Sequence, residues 1–244
     1  MKIWMFCVAP ILAICSDQTS LQRLFDGKLT TSQRATACFE LRGNSEPDVV
    51  RALAKALEDP ALLSCAADNL RVVGAIEVLK QALSNQDAGV RAAAVRQLGT
   101  FQKPDLLDAI SHAAQDENLL VATNALNGLS EYKDPVVIPF LSGLAKKGGM
   151  IGDMGLDRLA QLQPETALGV ARDLLTSSQV PDRLYAMRVI GAFGDVSDLE
   201  ELNKIATSNP ESLSQRARGF GFMPAINLSR AAQSAIASIQ SRQP

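Results

Sequence analysis

Aromatic side chains are scarce in this chain: they make up 5% of its 244 residues, with one Trp and two Tyr. A β-sandwich core draws on aromatic and β-branched residues, so the shortage argues against that class. Histidine is limited to His112. No Ser–His–Asp or Cys–His arrangement is identifiable, and G-x-S-x-G does not occur. The cysteines form no CxxC and have no histidine nearby, which leaves a metal without a ligand set. An excess of positive charge is missing too: 24 Lys and Arg face 26 Asp and Glu, for a net charge of −2. Without long Lys/Arg blocks, nucleic acid is not an expected partner.

What is present in quantity is Ala and Leu, within a 47% hydrophobic composition. That suits helices packed closely through small and aliphatic side chains. The chain is long enough for a sizeable core.

The N-terminus, MKIWMFCVAPILAIC, carries one Lys and then an apolar run to Cys15. A bilayer span needs about 20 residues, so the run is too short to cross a membrane. It fits the h-region of a signal peptide at 1–15, with Ala13 and Cys15 at the small-residue positions before cleavage at Ser16. The expected location is therefore periplasmic or extracellular. A lipid anchor at Cys15 is an alternative, although Ile14 is bulky for one. A retained segment, with a cytoplasmic protein, is another. Loss of 1–15 removes Cys7 and Cys15 and leaves Cys38 and Cys65, 27 residues apart. In an oxidising compartment these two either pair or remain buried thiols.

The rest of the chain, 16–244, repeats itself. The skeleton Arg-x-aliphatic-Gly occurs at Arg71–Gly74, Arg96–Gly99 and Arg188–Gly191, and VRQLGTF matches MRVIGAF. A degenerate copy lies 31 residues after the second: Leu129 follows Leu98, and Pro135 follows Pro104, at that interval. Each unit reads as two helices. Val90, Ala93, Ala94 and Leu98 share one face, Asp87 can cap the first turn, and Gly99 suits a left-handed helix end. Pro104 then opens a second helix with Leu106, Leu107, Ile110 and Ala113 on its apolar side. Similar punctuation occurs at Asp59-Pro60, Asp134-Pro135, Gln163-Pro164 and Asn209-Pro210. Long β-patterned runs with hairpin turns are absent, so the fold is all-α.

The stretch DAGVRAAAVRQLGTFQKPDLLDAI resembles a HEAT repeat of the short bacterial type, also called the PBS-lyase HEAT-like repeat. The matching positions are Asp87, Val90-Arg91, Ala92 to Ala94, Leu98-Gly99 and Pro104. The likeness is good for 87–114, fair for 60–84, 118–146 and 181–207, and poor for 148–176 and beyond 208. It implies an α-solenoid, in which two-helix units of about 30 residues bury their apolar faces by stacking. A single repeat domain of about five helix pairs is expected. A polar-faced capping helix at about 228–241 would close it, with Ala232, Ala235, Ile236 and Ile239 inward.

Four features invite a functional reading. His112, near a helix end, could act as a base or ligand, or could simply complement the helix dipole. GGMIGDMG, residues 148–155, has neither dinucleotide nor P-loop spacing. Its amides could bind an anion at a helix start, or its glycines could serve tight packing. Arg71, Arg91, Arg96 and Arg188 could form a guanidinium ladder for carboxylates, or bond acids and carbonyls of their own fold. Phe220 and Phe222, in RGFGFMP, are either binding anchors on a loop or part of the core closure.

The resulting expectation is a non-enzymatic, cofactor-free, exported scaffold that binds a protein partner through a helical face. Candidate contact residues are Arg91, Arg96, Arg188, Phe220 and Phe222. The PBS-lyase resemblance implies a bilin-attaching enzyme as an alternative, by analogy alone. A cytoplasmic regulatory scaffold is the other.

Overall fold

The computed structural model describes residues 20–133, 135–207 and 227–243. The expected leader at 1–15 with Cys15, the Asn209-Pro210 dipeptide, and Phe220 and Phe222 lie outside the described residues. The chain divides into two compact units, 1–131 and 132–244.

In the first unit, helical residues 20–24 precede seven helices. These are α1 (Thr31–Glu40), α2 (Pro47–Ala56), α3 (Leu63–Val72), α4 (Ile76–Ala82), α5 (Ala88–Gly99), α6 (Leu107–Ala113) and α7 (Leu119–Glu131). Helices α1, α3, α5 and α7 stack in order, each packed on the next. Helix α4 packs on α3 and α5, and α6 on α5 and α7. In the second unit the helices are α8 (Ile138–Lys147), α9 (Gly149–Leu162), α10 (Pro164–Leu174), α11 (Val180–Phe193), α12 (Leu199–Thr207) and α13 (Leu228–Gln240). There α9, α11 and α13 stack in order, with α10 against both α9 and α11 and α12 against α13. Each unit is thus a stack of two-helix repeats, the α-solenoid organisation. No strand occurs among the described residues.

Local chemistry sets the boundaries. Thr30 and Gln33 cap α1 reciprocally, and Asp87 Oδ1 accepts from the Gly89 N–H at 2.6 Å at the start of α5. Pro104 and Pro135 open short 3-10 turns that lead into α6 and α8, and Pro164 is the first residue of α10. Pro60 differs, lying in a turn before α3. The interior of each repeat is aliphatic: Leu53, Leu70, Leu98 and Leu129 are fully buried in the first unit, as are Leu141, Leu156, Leu159 and Ile190 in the second. Each such side chain contributes about 1.5–3 kcal/mol on burial.

The glycine of the repeated skeleton has two roles. Gly74 ends its turn at φ 71°, as a helix-terminating glycine should. Gly99 does not: α5 runs through it, and the left-handed position falls on Gln102, at φ 50°. The expectation of a left-handed Gly99 is therefore corrected. Its role is closeness, because α5 and α7 meet backbone to backbone at Gly99 and Gly128. Gly191 in α11 meets Ala235 of α13 in the same way.

Cys38 of α1 and Cys65 of α3 form a disulfide, with Cα atoms 6.3 Å apart. Beside it the fully buried Asn69 donates from Nδ2 to the Cys38 carbonyl at 2.7 Å. Two successive repeats are thus joined covalently and by a buried hydrogen bond.

Candidate functional site

The first helix of each repeat presents one outward position, immediately after a buried apolar residue. Leu70, Val95, Leu126, Leu156 and Met187 are buried. The residues that follow them are Arg71, Arg96, Asn127, Asp157 and Arg188, and each is at least partly exposed. The ladder expected from sequence comprises Arg71, Arg91, Arg96 and Arg188; three of these hold this position, and Asn127 and Asp157 hold it in the other two helices.

Most of the charged rungs already have partners. Arg71 Nη2 bonds Asp68 Oδ1 at 2.7 Å, and the same carboxylate takes Arg42. Arg188 pairs with Asp157, one repeat earlier in the second unit, and lies 4.9 Å from the Tyr185 ring centroid. Arg96 is exposed and makes no hydrogen bond or ion pair among the described residues.

Arg91 does not belong to this row. Its Nε and Nη2 donate to the two carboxylate oxygens of Asp116, at 2.7 and 2.9 Å, in a bidentate fork. Its Nη1 donates to the carbonyls of Asn85 and Gln86, both at 2.9 Å. The fork holds Asp116 below the usual carboxylate range. Asp116 in turn accepts from the Asn118 N–H at 2.8 Å, in the turn before α7. Arg34 makes the corresponding contact to Asp59, at 2.6 Å and the same 25-residue separation. These arginines clip the first helix of one repeat to the entry of the next.

On α5 the outward side carries Gly89 and Arg96, with Ala93 between them buried. The neighbouring stripe of α3 carries Ser64, Asp68 and Arg71, and that of α7 carries Leu120, Asn124 and Asn127. Leu120 is 58% exposed, and beside it Leu119 is 49% exposed. Phe39 on α1 is 60% exposed. Sequence reasoning missed these apolar residues. For Leu119 and Leu120 a signal existed: both precede the buried phase of α7, which begins at Val121.

The remaining candidates resolve as follows. His112 is exposed in the last turn of α6 and shares a groove with Lys80, Leu83, Ala109 and Asp116, the last of these being engaged by Arg91. In the 148–155 stretch, Gly152 and Gly155 pack against the backbone of α8. The Gly149 N–H at the start of α9 is taken by the Asp182 carboxylate, at 2.8 Å. Arg242, just beyond α13, donates to the Gly194 carbonyl at 2.8 Å and to the Gly191 carbonyl at the end of α11. No group of three metal-ligating side chains converges, and no helix is long and apolar enough to cross a membrane, among the described residues.

Several known structures are similar along nearly the whole chain, all at low identity. Human deoxyhypusine hydroxylase is 17% identical over 96% of this chain and 100% of its own, with a TM-score of 0.40. YibA of E. coli is 15% identical over the full length of both chains, with a TM-score of 0.48. The CpcE–CpcF complex of phycocyanin lyase from Nostoc is 19% identical over 93% of this chain and 94% of that one, with a TM-score of 0.43. At these values the likeness says nothing about activity. No curated protein matches the sequence. The family model for HEAT repeats matches residues 76–149, from α4 to the start of α9. Over that stretch the chain is similar to HEAT repeats.

Proposed function

We propose that the protein is an exported, non-enzymatic scaffold that holds a protein partner along the outward stripes of α3, α5 and α7. HEAT repeats typically bind proteins, through surfaces spread over several repeats. The observation that carries the reading is Arg96: an exposed guanidinium with no acid of its own among the described residues, in one outward row with Asn127 of α7, the helix whose first turn exposes Leu119 and Leu120. Such a combination provides one charged anchor and apolar anchors on neighbouring helices. Arg188 serves in the same row of the second unit, Phe220 and Phe222 are further anchors, and Arg91 contributes by fixing the repeats on which Arg96 stands.

Export is supported by the N-terminal apolar run and by the Cys38–Cys65 disulfide, since such bonds persist in oxidising compartments. The disulfide favours this location over a cytoplasmic one. The non-enzymatic reading is supported by the exposed position of His112 and by the commitment of neighbouring Asp116 to Arg91.

A photo-crosslinking residue placed at position 96 or 127, in protein produced in its native host, tests the surface. The same residue at Gln81, on α4, is the control. Adducts to a protein from 96 and 127 and none from 81 are expected. Equal labelling from all three positions, or none from 96 and 127, rejects the assignment. N-terminal sequencing of the mature protein tests export separately, with Ser16 as the expected first residue.

A further inference from the structure

Asp153 lies on the inner side of α9 with 2% of its surface exposed, and its Oδ1 meets no hydrogen-bond donor among the described residues. A charge on that buried oxygen would have no donor to stabilise it. A second buried carboxylate acts on it. Asp182, in the first turn of α11, is 4% exposed.

Asp182 is fully engaged. Its Oδ1 accepts from the Gly149 N–H at 2.8 Å and its Oδ2 from the Ser177 hydroxyl at 2.7 Å. These bonds tie the start of α11 to the α8–α9 junction, where Gly148 and Gly149 sit at φ 68° and 69°. The fit is tight enough that a Cβ on Gly148 would collide with the Asp182 carboxylate.

The charged groups that act on Asp153 are Asp182 and Arg188 from α11 and Asp157 from its own helix. Arg188 is paired with Asp157, and Arg158, also on α9, bonds Gln161. The charged side chains of the other helices packed on α9 are exposed: Lys146 and Lys147 on α8, and Glu165, Arg172 and Asp173 on α10. On α11, Arg183 is half-buried with no partner at its Nε among the described residues, and at Asp153 burial and the two carboxylates outweigh Arg188. Burial, with Asp182 and Asp157, pushes its pKa from 3.8 up to about 6.

We propose that Asp153 and Asp182 form an acid-closed latch between α9 and α11, in which ionisation of Asp153 loosens the two helices at the Gly148–Gly149 tether. Protonated, Asp153 carries no charge and the helices pack as described. Ionised, it places an unsolvated negative charge beside a second one, and water reaches it only if α9 moves away from α11. The direction follows from the raised pKa. The stabilising contribution is complete below 3.8 and is lost as the pH rises through about 6.

Amide exchange of the full chain, corrected for its intrinsic pH dependence, tests this at about pH 5 and about pH 7.5. Opening of α9 and α11 should be about tenfold greater at the higher pH, with α3 and α5 unchanged. Asp153→Asn, neutral at both pH values, should abolish the difference. A wild-type chain with no such difference, or an Asp153→Asn chain that retains it, overturns the proposal. Should that variant fail to fold, the ¹³Cγ titration of Asp153 in the wild-type chain decides. A midpoint near 6 supports the latch, and one near the ordinary 3.8 overturns it.

Discussion

Gly99 of α5 and Gly128 of α7 bring two helix backbones into direct contact: a Cβ built on Gly99 would lie 2.6 Å from the Gly128 Cα. Such a distance leaves a methyl group no space, and backbone on the other side cannot rotate away. Gly99→Ala should therefore force α5 and α7 apart and cost about 1–3 kcal/mol, the usual penalty of overpacking. In an exposed helix the same change would be stabilising, so urea unfolding of the variant gives a signed answer. A stability equal to or above wild type would show that the two helices yield easily.

The Cys38–Cys65 bond closes a chain segment of 27 residues. Loop-closure entropy assigns such a link about 3–4 kcal/mol. Reduction, or Cys38→Ser with Cys65→Ser, should lower the unfolding free energy by about that amount. Asn69 should remain protected from exchange in the folded variant, because its bond to the Cys38 carbonyl does not involve sulfur.

Arg91 and Asp116 supply a pH dependence opposite in sign to that of Asp153. The Arg91 fork depresses the Asp116 pKa, so the contribution is present above the ordinary value of 3.8 and is lost as the pH falls through the depressed one. Arg91→Gln should lower the melting temperature at neutral pH and leave it nearly unchanged at strongly acidic pH. Thermal melts across that range check the prediction. A deficit that persists in acid would place the role of Arg91 in its bonds to the Asn85 and Gln86 carbonyls.

Gln102 is the one non-glycine residue at positive φ among the described residues. The left-handed conformation costs an L-residue roughly 1 kcal/mol, whereas glycine enters it freely. Gln102→Gly should stabilise the protein by a few tenths to about 1 kcal/mol, net of the added flexibility of the unfolded chain. Chemical denaturation measures this directly.

The repeat boundaries were legible because their chemistry is local. Asp87, Pro104 and Pro164 act on amides within one turn of themselves, so their identity and spacing reveal the helix starts. The all-α class and the stacked hairpins follow from that punctuation and from the apolar period. The fate of the arginines was not legible. Arg91 and Arg96 stand five residues apart in one helix, yet one faces the next repeat and the other faces solvent. Asp116 lies 25 residues from Arg91, and only packing brings the two together. The same limit hid the Asp153–Asp182 pair, and it hid Gly99, whose neighbour belongs to another helix. Of the two outcomes open to Cys38 and Cys65 the structure has the disulfide, and their 27-residue separation is close to the repeat length.

On the proposed reading, the outward position shared by Arg71, Arg96, Asn127, Asp157 and Arg188 has a consequence for how recognition can change over time. The stack takes its support from the clips, the close helix crossings and the aliphatic interior, and at Arg96 and Asn127 it asks nothing of the residue. Substitutions there alter the pattern of charge along the surface without disturbing what lies beneath. Binding preference in such a molecule can drift by single exchanges, each leaving a chain that still folds.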